Sequence, residues 1–501
     1  MTINIHIPSP LRRYSNGESL IAVEGSTIGE AFESLFELLP PLKIRLINAR
    51  DEIHPYLILL HGSDEISRSD WRQRVLGEGD EIDIVPAVEG GSDVRMRGFR
   101  DRATVADALA YTVSLVNPRF ETAPLGALAG RVLAEDVTSR VNVPAFNRSA
   151  MDGFAVVAED TFGATSYNPI ELELCGESMP GNRKLEEVKR GQACRIMTGA
   201  PMPPGADAVL MAEDVDAQGD KISARASVTP HKNVGRIAED IAVGQTVLSF
   251  DRRLRPQDVG LLASIGRSTV RSYAAPRVMT LVTGNELLPP GELPRDGFIV
   301  DSNSPMLAAL TKRDGAVLLD QIHLPDDIDI IREFLLSLKC DVLLCAGGSS
   351  VGREDFLPVL VNELGELSIH GVAMRPSAPT GIGRIKNTPV FLLPGNPVSC
   401  LSAYDHFAGP LIRALGGRPQ EFPYARVKKT LSRRIASQIG RQDYVRVALD
   451  EDDKVTPIAL SGASLLSSTT LASGFVIVNE DSEGVDAEAE VSVYLYDEYL
   501  G

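Results

Sequence analysis

The chain has 501 residues, 44% hydrophobic and 24% charged, with a formal net charge of −18 and an isoelectric point near 5.0. That length holds three or more domains with cores of their own, and the acidic balance argues against nucleic acid or an anionic membrane as the main partner. Five cysteines without a CxxC pair and seven histidines without an HExxH or HxH cluster argue against zinc and for buried free thiols in a reduced, cytoplasmic setting.

The opening MTINIHIPSPLRR alternates like a strand and lacks the form of a signal peptide. No apolar run reaches the roughly 18 residues of a membrane helix. SLIAVEG reads as a second strand. Ser26 or Thr27 can cap a helix in which Ile28, Ala31, Phe32, Leu35, Phe36 and Leu39 recur at helical spacing, with Pro40-Pro41 as its stop. PYLILLHG and DEIDIVPAVEGG follow as strands. Residues 1–91 therefore predict a compact α+β grasp around one helix. SDVRMRGFRDR, residues 92–102, reads as a polar, basic linker.

From Thr104 a helical pattern runs through VADALAYTVSLV, and a second helix is expected near PLGALAGRVLAED. With the helical RPQDVGLLASIG, these segments predict a helical domain from residues 103–141 plus 251–274. Residues 142–250, made of short alternating runs such as GFAVVAED and DAVLMAEDV, predict a β insertion domain. From Pro276, strands and helices alternate, which predicts a parallel sheet with covering helices over 275–416. GGRPQEFP is a linker, and residues 424–501 read as a small β-barrel or sandwich. The fold class is multidomain α/β plus β.

Two loops carry the strongest chemical signal. In DVLLCAGGSSVGRED an apolar run breaks into Gly347, Gly348, Ser349, Ser350 and Gly352 before Asp355. In LLPGNPVS another run breaks into Pro394, Gly395, Asn396, Pro397 and Ser399 and opens a helical pattern. Two such strand-to-helix loops at one sheet edge form a crevice for an oxyanion. TGNEL places Glu286 at the same edge, as do Asp301 in DSNSPM, Asp326 in LPDD, and Asp355. Hard oxygen ligands beside phosphate-cradling loops suit Mg²⁺, although Asp301 and Asp326 also suit helix caps. Asp152 in NRSAMDGFAV, Thr198 in MTGAPMPPGADAV and Asp240 in GRIAEDI read either as turn or surface residues or as parts of a site.

Taken in this order, NRSAMDGFAV, MTGAPMPPGADAV, EDI, TGNEL, GGSSVGREDF and LPGNPVS resemble the molybdopterin molybdotransferase family, which includes the C-terminal domain of gephyrin, over residues 95–501. The resemblance implies an elongated four-part subunit and a homodimer with its active site at a subunit cleft. It also implies a reaction that hydrolyses adenylylated molybdopterin, releases AMP and inserts molybdate into the dithiolene with Mg²⁺. On this chain it puts Asp152, Thr198 and Asp240 on the β-domain side of the cleft. Glu286, Asp326 and Asp355 would serve the metal, nucleotide and oxyanion end, with Glu286, Asp301 and Asp355 as metal ligands. Gly347, Gly348, Ser349, Ser350, Gly352, Arg375, Pro394, Gly395, Asn396, Pro397 and Ser399 would bind the pterin nucleotide.

Three departures stand out. Where the family has lysine-proline-glycine-lysine-proline, this chain reads Arg375-Pro376-Ser377-Ala378-Pro379, so one cation is lost at Ala378. Asn285 replaces a common acidic residue, and Ala238 a common glycine. Reduced activity, tungstate as the oxyanion, or a non-catalytic scaffold stay open. GEGDEIDIVPAVEGG resembles the β-grasp sulfur carriers, such as the small subunit of molybdopterin synthase. That resemblance implies a Gly90-Gly91 tail activated by an E1-like enzyme and used by the large subunit of molybdopterin synthase. Ser92 follows Gly91, so a carrier requires cleavage after Gly91. A fused docking module or a carrier for another sulfur pathway are the alternatives.

Overall fold

A computed structural model of the chain describes residues 1–7, 14–15, 18–47, 53, 57–62, 64–66, 71–86, 102–181, 184–348, 355–450, 454–459 and 465–499. The first unit is a five-stranded sheet in the order Leu20–Glu24, Thr2–His6, Glu81–Pro86, Leu57–His61, Asp64–Glu65. Thr2–His6 runs antiparallel to Leu20–Glu24 and parallel to Glu81–Pro86. The helix Ile28–Leu38 starts at Thr27, whose Oγ1 accepts from the Glu30 N–H, while the Glu30 carboxylate accepts from the Ser26 N–H at 2.9 Å. This reciprocal arrangement satisfies amides that the first helical turn leaves unpaired. Ile28, Phe32 and Leu35 are buried with Ile3, Ile5 and Trp71. Pro40-Pro41 does stop this helix, but it also starts a second one, Pro40–Leu46, because proline suits the first turn of a helix. Gly90, Gly91 and the linker up to residue 101 lie outside the described residues.

The helix Val105–Ser114 forms as expected, but the second helix does not. Within residues 125–136 the helical structure is limited to a 3₁₀ turn, Leu125–Ala127. Their backbone groups pair instead with the returning chain: Gly130 N–H donates to Leu254 O, Leu133 N–H to Arg252 O, and Ala134 N–H to Arg271 O. Phe120–Pro124 pairs with Thr269–Tyr273, and Val137–Thr138 with Thr246–Leu248. These long-range ladders outweigh the local helical pattern. The unit formed by the two chain segments is thus knitted by strands around the helix Pro256–Ser264. Val105–Ser114 joins a different core, where Ala108 is buried with Phe407 and Leu411.

At the start of Pro256–Ser264, buried Asp258 accepts from the Arg255 N–H at 2.9 Å and from the Arg252 and Arg255 guanidiniums. Burial raises the Asp258 pKa, but these donors outweigh it and hold the carboxyl at about 2. A carboxyl depressed in the folded state adds stability above its unfolded pKa and loses it as pH falls through the folded value. Asp258→Asn is therefore expected to lower the melting temperature at pH 7, with the difference from the unsubstituted chain shrinking between about pH 4 and pH 2. Calorimetry across that range checks it.

The inserted sheet has six strands in the order Ala208–Met211, Gly153–Val156, Gln192–Ile196, Ile170–Ser178, Lys221–Ala224, Val215–Gln218. Gly153 is forced by a close approach, since a Cβ there would lie 2.0 Å from Leu210 O. The next sheet orders Val317–Leu324, Arg277–Thr283, Val342–Ala346, Thr388–Leu393, Gly381–Ile385 and Glu366–His370. The first four strands are parallel, as the alternation predicts, but Gly381–Ile385 runs antiparallel to both of its neighbours, Thr388–Leu393 and Glu366–His370, so the sheet is mixed. Along Val342–Ala346, residues 342, 344 and 346 face Asn303–Arg313 and the helical stretch 397–415, while 343 and 345 face Ile328–Leu336 and Leu357–Leu364. Burial on both faces explains why this strand is continuously apolar. A π-helical turn, Tyr404–Ala408, interrupts the stretch between Pro397–Ala403 and Gly409–Leu415.

In the last unit Gln442–Leu449, Lys454–Ala459, Tyr424–Leu431, Glu490–Tyr499 and Gly474–Val478 pair in sequence, and Gly474–Val478 returns to Gln442–Leu449. All five cysteines are free thiols, four of them buried. Among the described residues, no helix is long and apolar enough to cross a membrane.

Candidate active site

Four parallel strands end along one edge, and the loops that leave them enclose a pocket of about 660 Å³. After Arg277–Thr283 the chain supplies Glu286, and after Val317–Leu324 it supplies Asp326. After Val342–Ala346 it supplies Gly347, Gly348 and Asp355, and after Thr388–Leu393 it supplies Gly395, Asn396 and Pro397. Asp301 completes the wall just before the helix Asn303–Arg313. Gly347 and Gly348 take φ of 91° and 56°. A Cβ on Gly347 would lie 2.6 Å from Thr283 O, so side chains are excluded there by contact as well as by backbone conformation. Gly395 lies beside Gly347, its ideal Cβ position only 3.7 Å from the Gly347 Cα.

The carboxylates are held differently. Asp301 Oδ1 accepts from the N–H groups of Asn303 and Ser304 at 2.9 and 3.0 Å. Asp326 Oδ2 accepts from the Asn285 N–H at 3.0 Å, and the Asp326 N–H donates to Asn285 Oδ1 at 3.3 Å. This reciprocal clasp joins the loops after two neighbouring strands. Helix capping falls to the next residue, since Asp327 Oδ1 accepts from Asp329 and Ile330 N–H. Among the described residues, no three His, Cys, Asp or Glu side chains gather closely enough to hold a metal alone. The donor set still fits Mg²⁺, which takes hard oxygens and commonly binds one or two carboxylates while phosphates and water complete its shell.

Asp152, Thr198 and Asp240 do not line this pocket. Asp152 Oδ1 accepts from both the N–H and the hydroxyl of Thr198, each at 2.7 Å, and these two donors lower its pKa. Asp240 is exposed, while its neighbour Glu239 accepts from the Arg236 N–H. Pro394 is also absent from the lining. Ser399 is buried near the start of its helix, where its carbonyl accepts from Ser377 Oγ at 2.7 Å. Arg375 points to the last unit: its Nη2 donates to the buried Asp443 at 2.5 Å, and Arg441 Nε donates to the same carboxylate. Ser349, Ser350 and Gly352 lie outside the described residues.

Two of the departures sit where the backbone takes a conformation that favours glycine. Ala238 has φ 62° and Ser377 has φ 87°. A non-glycine residue pays roughly 1–2 kcal/mol for that conformation, so tertiary contacts hold both turns. Asn285, Asn303 and Asp443 were not singled out as site residues from spacing. The first two stand inside TGNEL and DSNSPM, which is the one signal that points to them.

Three family models match the chain in order. They are the MoeA N-terminal region (domain I and II) at residues 103–266, the probable molybdopterin binding domain at 279–414, and the MoeA C-terminal region (domain IV) at 428–496. A putative molybdopterin biosynthesis protein of Methanocaldococcus jannaschii is 34% identical over 393 residues, which span 76% of this chain and 93% of that protein. This chain belongs to the MoeA family. Another MoeA-type relative, the molybdopterin molybdenumtransferase 2 of Mycobacterium tuberculosis, is 34% identical over 386 residues, spanning 74% of this chain and 94% of that enzyme. Two crystal structures of the MoeA protein from Pyrococcus horikoshii superpose with TM-scores of 0.66 and 0.61. They are 33% and 34% identical and cover 79% of this chain and 99% and 100% of theirs. The family assignment makes the protein a transferase of molybdenum cofactor biosynthesis.

Proposed function

We propose that this MoeA-family chain hydrolyses adenylylated molybdopterin, releases AMP and inserts molybdate into the dithiolene. One observation carries the reading: Glu286, Asp301, Asp326 and Asp355 share a pocket with the bare backbone of Gly347, Gly348 and Gly395. A glycine-lined floor lets phosphates approach the backbone amides closely, and acidic groups around it suit a cation that offsets phosphate charge. Glu286, Asp355 and the Asp301 oxygen not used by Asn303 and Ser304 would hold Mg²⁺. When bound, the ion supplies charge neutralisation at the pyrophosphate. Asn285 positions Asp326 through their clasp, and Asp301 orients the first turn of Asn303–Arg313.

A second copy of the chain would complete the cleft. Asp152 and Thr198 are exposed, as are Phe146, Met151 and Ile237 of the same unit, at 47%, 45% and 47%. Exposed apolar side chains on the unit that carries an exposed polar pair suit a homodimer contact that brings the pair to the partner's pocket. The setting is cytoplasmic. The first unit would be a β-grasp sulfur carrier, freed by cleavage after Gly91. Its partners would be an E1-like activating enzyme and the large subunit of molybdopterin synthase. Mass spectrometry of the chain from native cells is expected to find a fragment ending at Gly91; recovery of full-length chain alone would exclude the released carrier.

The test of the main reading is the full chain with adenylylated molybdopterin, Mg²⁺ and either molybdate or tungstate, following AMP release and cofactor formation. AMP release that depends on one oxyanion supports the transferase and names its substrate. One observation favours a non-catalytic pterin-binding scaffold: Arg375 is tied to Asp443, and Ala378 offers no charge. Tight pterin binding without AMP release would decide for that scaffold.

A further inference from the structure

Asn303 opens the helix Asn303–Arg313, lines the pocket and is only 7% exposed. Its Nδ2 donates to Gly395 O at 2.7 Å, which ties this helix to the loop between Thr388–Leu393 and Pro397–Ala403. The other end of the amide is unusual. Asn303 Oδ1 is buried and has no hydrogen-bond partner among the described residues. Turning the amide over would set its oxygen against the Gly395 carbonyl, so the assignment of the two ends is fixed by that contact. The residue is also held at its backbone, because its N–H donates to Asp301 Oδ1. A buried acceptor without a donor costs stability, and such groups in native proteins call for an explanation.

We propose that Asn303 is a positioning residue of the pocket. Its Nδ2 sets the place of the Gly395–Pro397 loop, and its Oδ1 is left open for an N–H or O–H donor that arrives with the pterin nucleotide. The donor belongs either to the ligand or to a water ordered by it. This inference rests on the reading of the pocket as a pterin-nucleotide site. In the free chain the open acceptor is a standing cost, and in the filled pocket it becomes a hydrogen bond. Ligand affinity and free-state stability are therefore set against each other at this one side chain.

That opposition separates the proposal from a plain structural tie. Asn303→Leu keeps the approximate shape and removes both the donor and the orphaned acceptor. Asn303→Asp keeps an acceptor and removes the donor to Gly395 O. Both are made in the full chain and titrated with adenylylated molybdopterin by equilibrium dialysis, alongside thermal unfolding of the free protein. The expected result for Asn303→Leu is a Kd weakened by at least about tenfold, with a Tm within about 2 °C of the unsubstituted chain or above it. Asn303→Asp is expected to weaken binding as well, and it gives the reading if the leucine variant does not fold. A Kd within about twofold of the unsubstituted chain in the folded variants overturns the proposal. So does a loss of affinity that follows an equal loss of Tm in both. If the unsubstituted chain itself does not bind, the reading of the pocket fails and this inference with it. Binding by the unsubstituted chain with unaltered variants overturns the inference alone. Dialysis with pterin nucleotides lacking single N–H groups separates the two donor sources. A ligand deletion that weakens binding by the unsubstituted chain but not by the Asn303→Leu variant, which lacks the acceptor, identifies a ligand donor, and the lack of any such deletion identifies water.

Discussion

Replacing Glu286 by Gln, or Asp355 by Asn, is expected to lower AMP release from adenylylated molybdopterin by at least about a hundredfold while leaving the fold intact. Both side chains line the pocket at the carboxyl edge of the mixed sheet, and neither is buried, so no core contact depends on them. Each amide keeps nearly the shape of the acid and removes one negative charge. A pocket that holds a divalent cation against phosphates loses affinity for that cation with each lost charge. The Mg²⁺ concentration for half-maximal rate is therefore expected to rise with the fall in rate. Steady-state AMP release across a Mg²⁺ series, with circular dichroism as the control for folding, measures both. Unchanged rates in the two variants would remove these carboxylates from the site.

The largest loss of stability is expected from Asp314→Ala. Asp314 is 1% exposed and lies just after the helix Asn303–Arg313. Its carboxylate accepts from Arg413 Nη1 at 2.9 Å, from the Arg313 guanidinium at 2.9 and 3.1 Å, and from the Tyr404 hydroxyl at 3.0 Å. Asp405 continues the cluster, accepting from Arg313 at 2.8 Å and from the Tyr424 hydroxyl at 2.8 Å. Burial alone would lower the pKa of Arg313, but Asp405, Tyr424 and Asp314 hold it charged. Removing Asp314 strands Arg413, which is also buried, without its carboxylate. Breaking a buried pair from one side costs about 3–5 kcal/mol, or about 10 °C in the melting temperature of a unit of this size. Because the cluster links the helical stretch 397–415 to Tyr424 of the last unit, the two units are expected to uncouple together. Differential scanning calorimetry would show it as an early transition. Replacing Asp314 and Arg413 together by apolar residues is expected to recover part of the loss, since no charge is then left unpaired.

The strands and helices around the pocket were legible because each loop announces itself locally. Apolar runs stop at Gly-Gly or Pro-Gly, and a helical period follows. Glu286, Asp301, Asp326 and Asp355 could be placed at one edge from alternation alone, because every parallel strand must exit at the same side. The expected helix at 124–136 was not legible, because its residues find their hydrogen bonds more than a hundred residues away, at Arg252, Leu254 and Arg271. Arg375 was read as a pocket residue, yet its charge goes to Asp443, whose burial no motif reports.

What the sequence by itself determined is the order of the units, the carboxylate set and the family's motifs, since turn chemistry, caps and apolar period are written within a few neighbouring residues. Only the tertiary structure decided how the carboxylates are held, that Asn285 clasps Asp326, that Asn303 keeps one buried acceptor without a partner among the described residues, and that Asp152 pairs with Thr198 outside the pocket. Those facts depend on which distant groups become neighbours, and a buried polar atom is satisfied or left open by that packing alone.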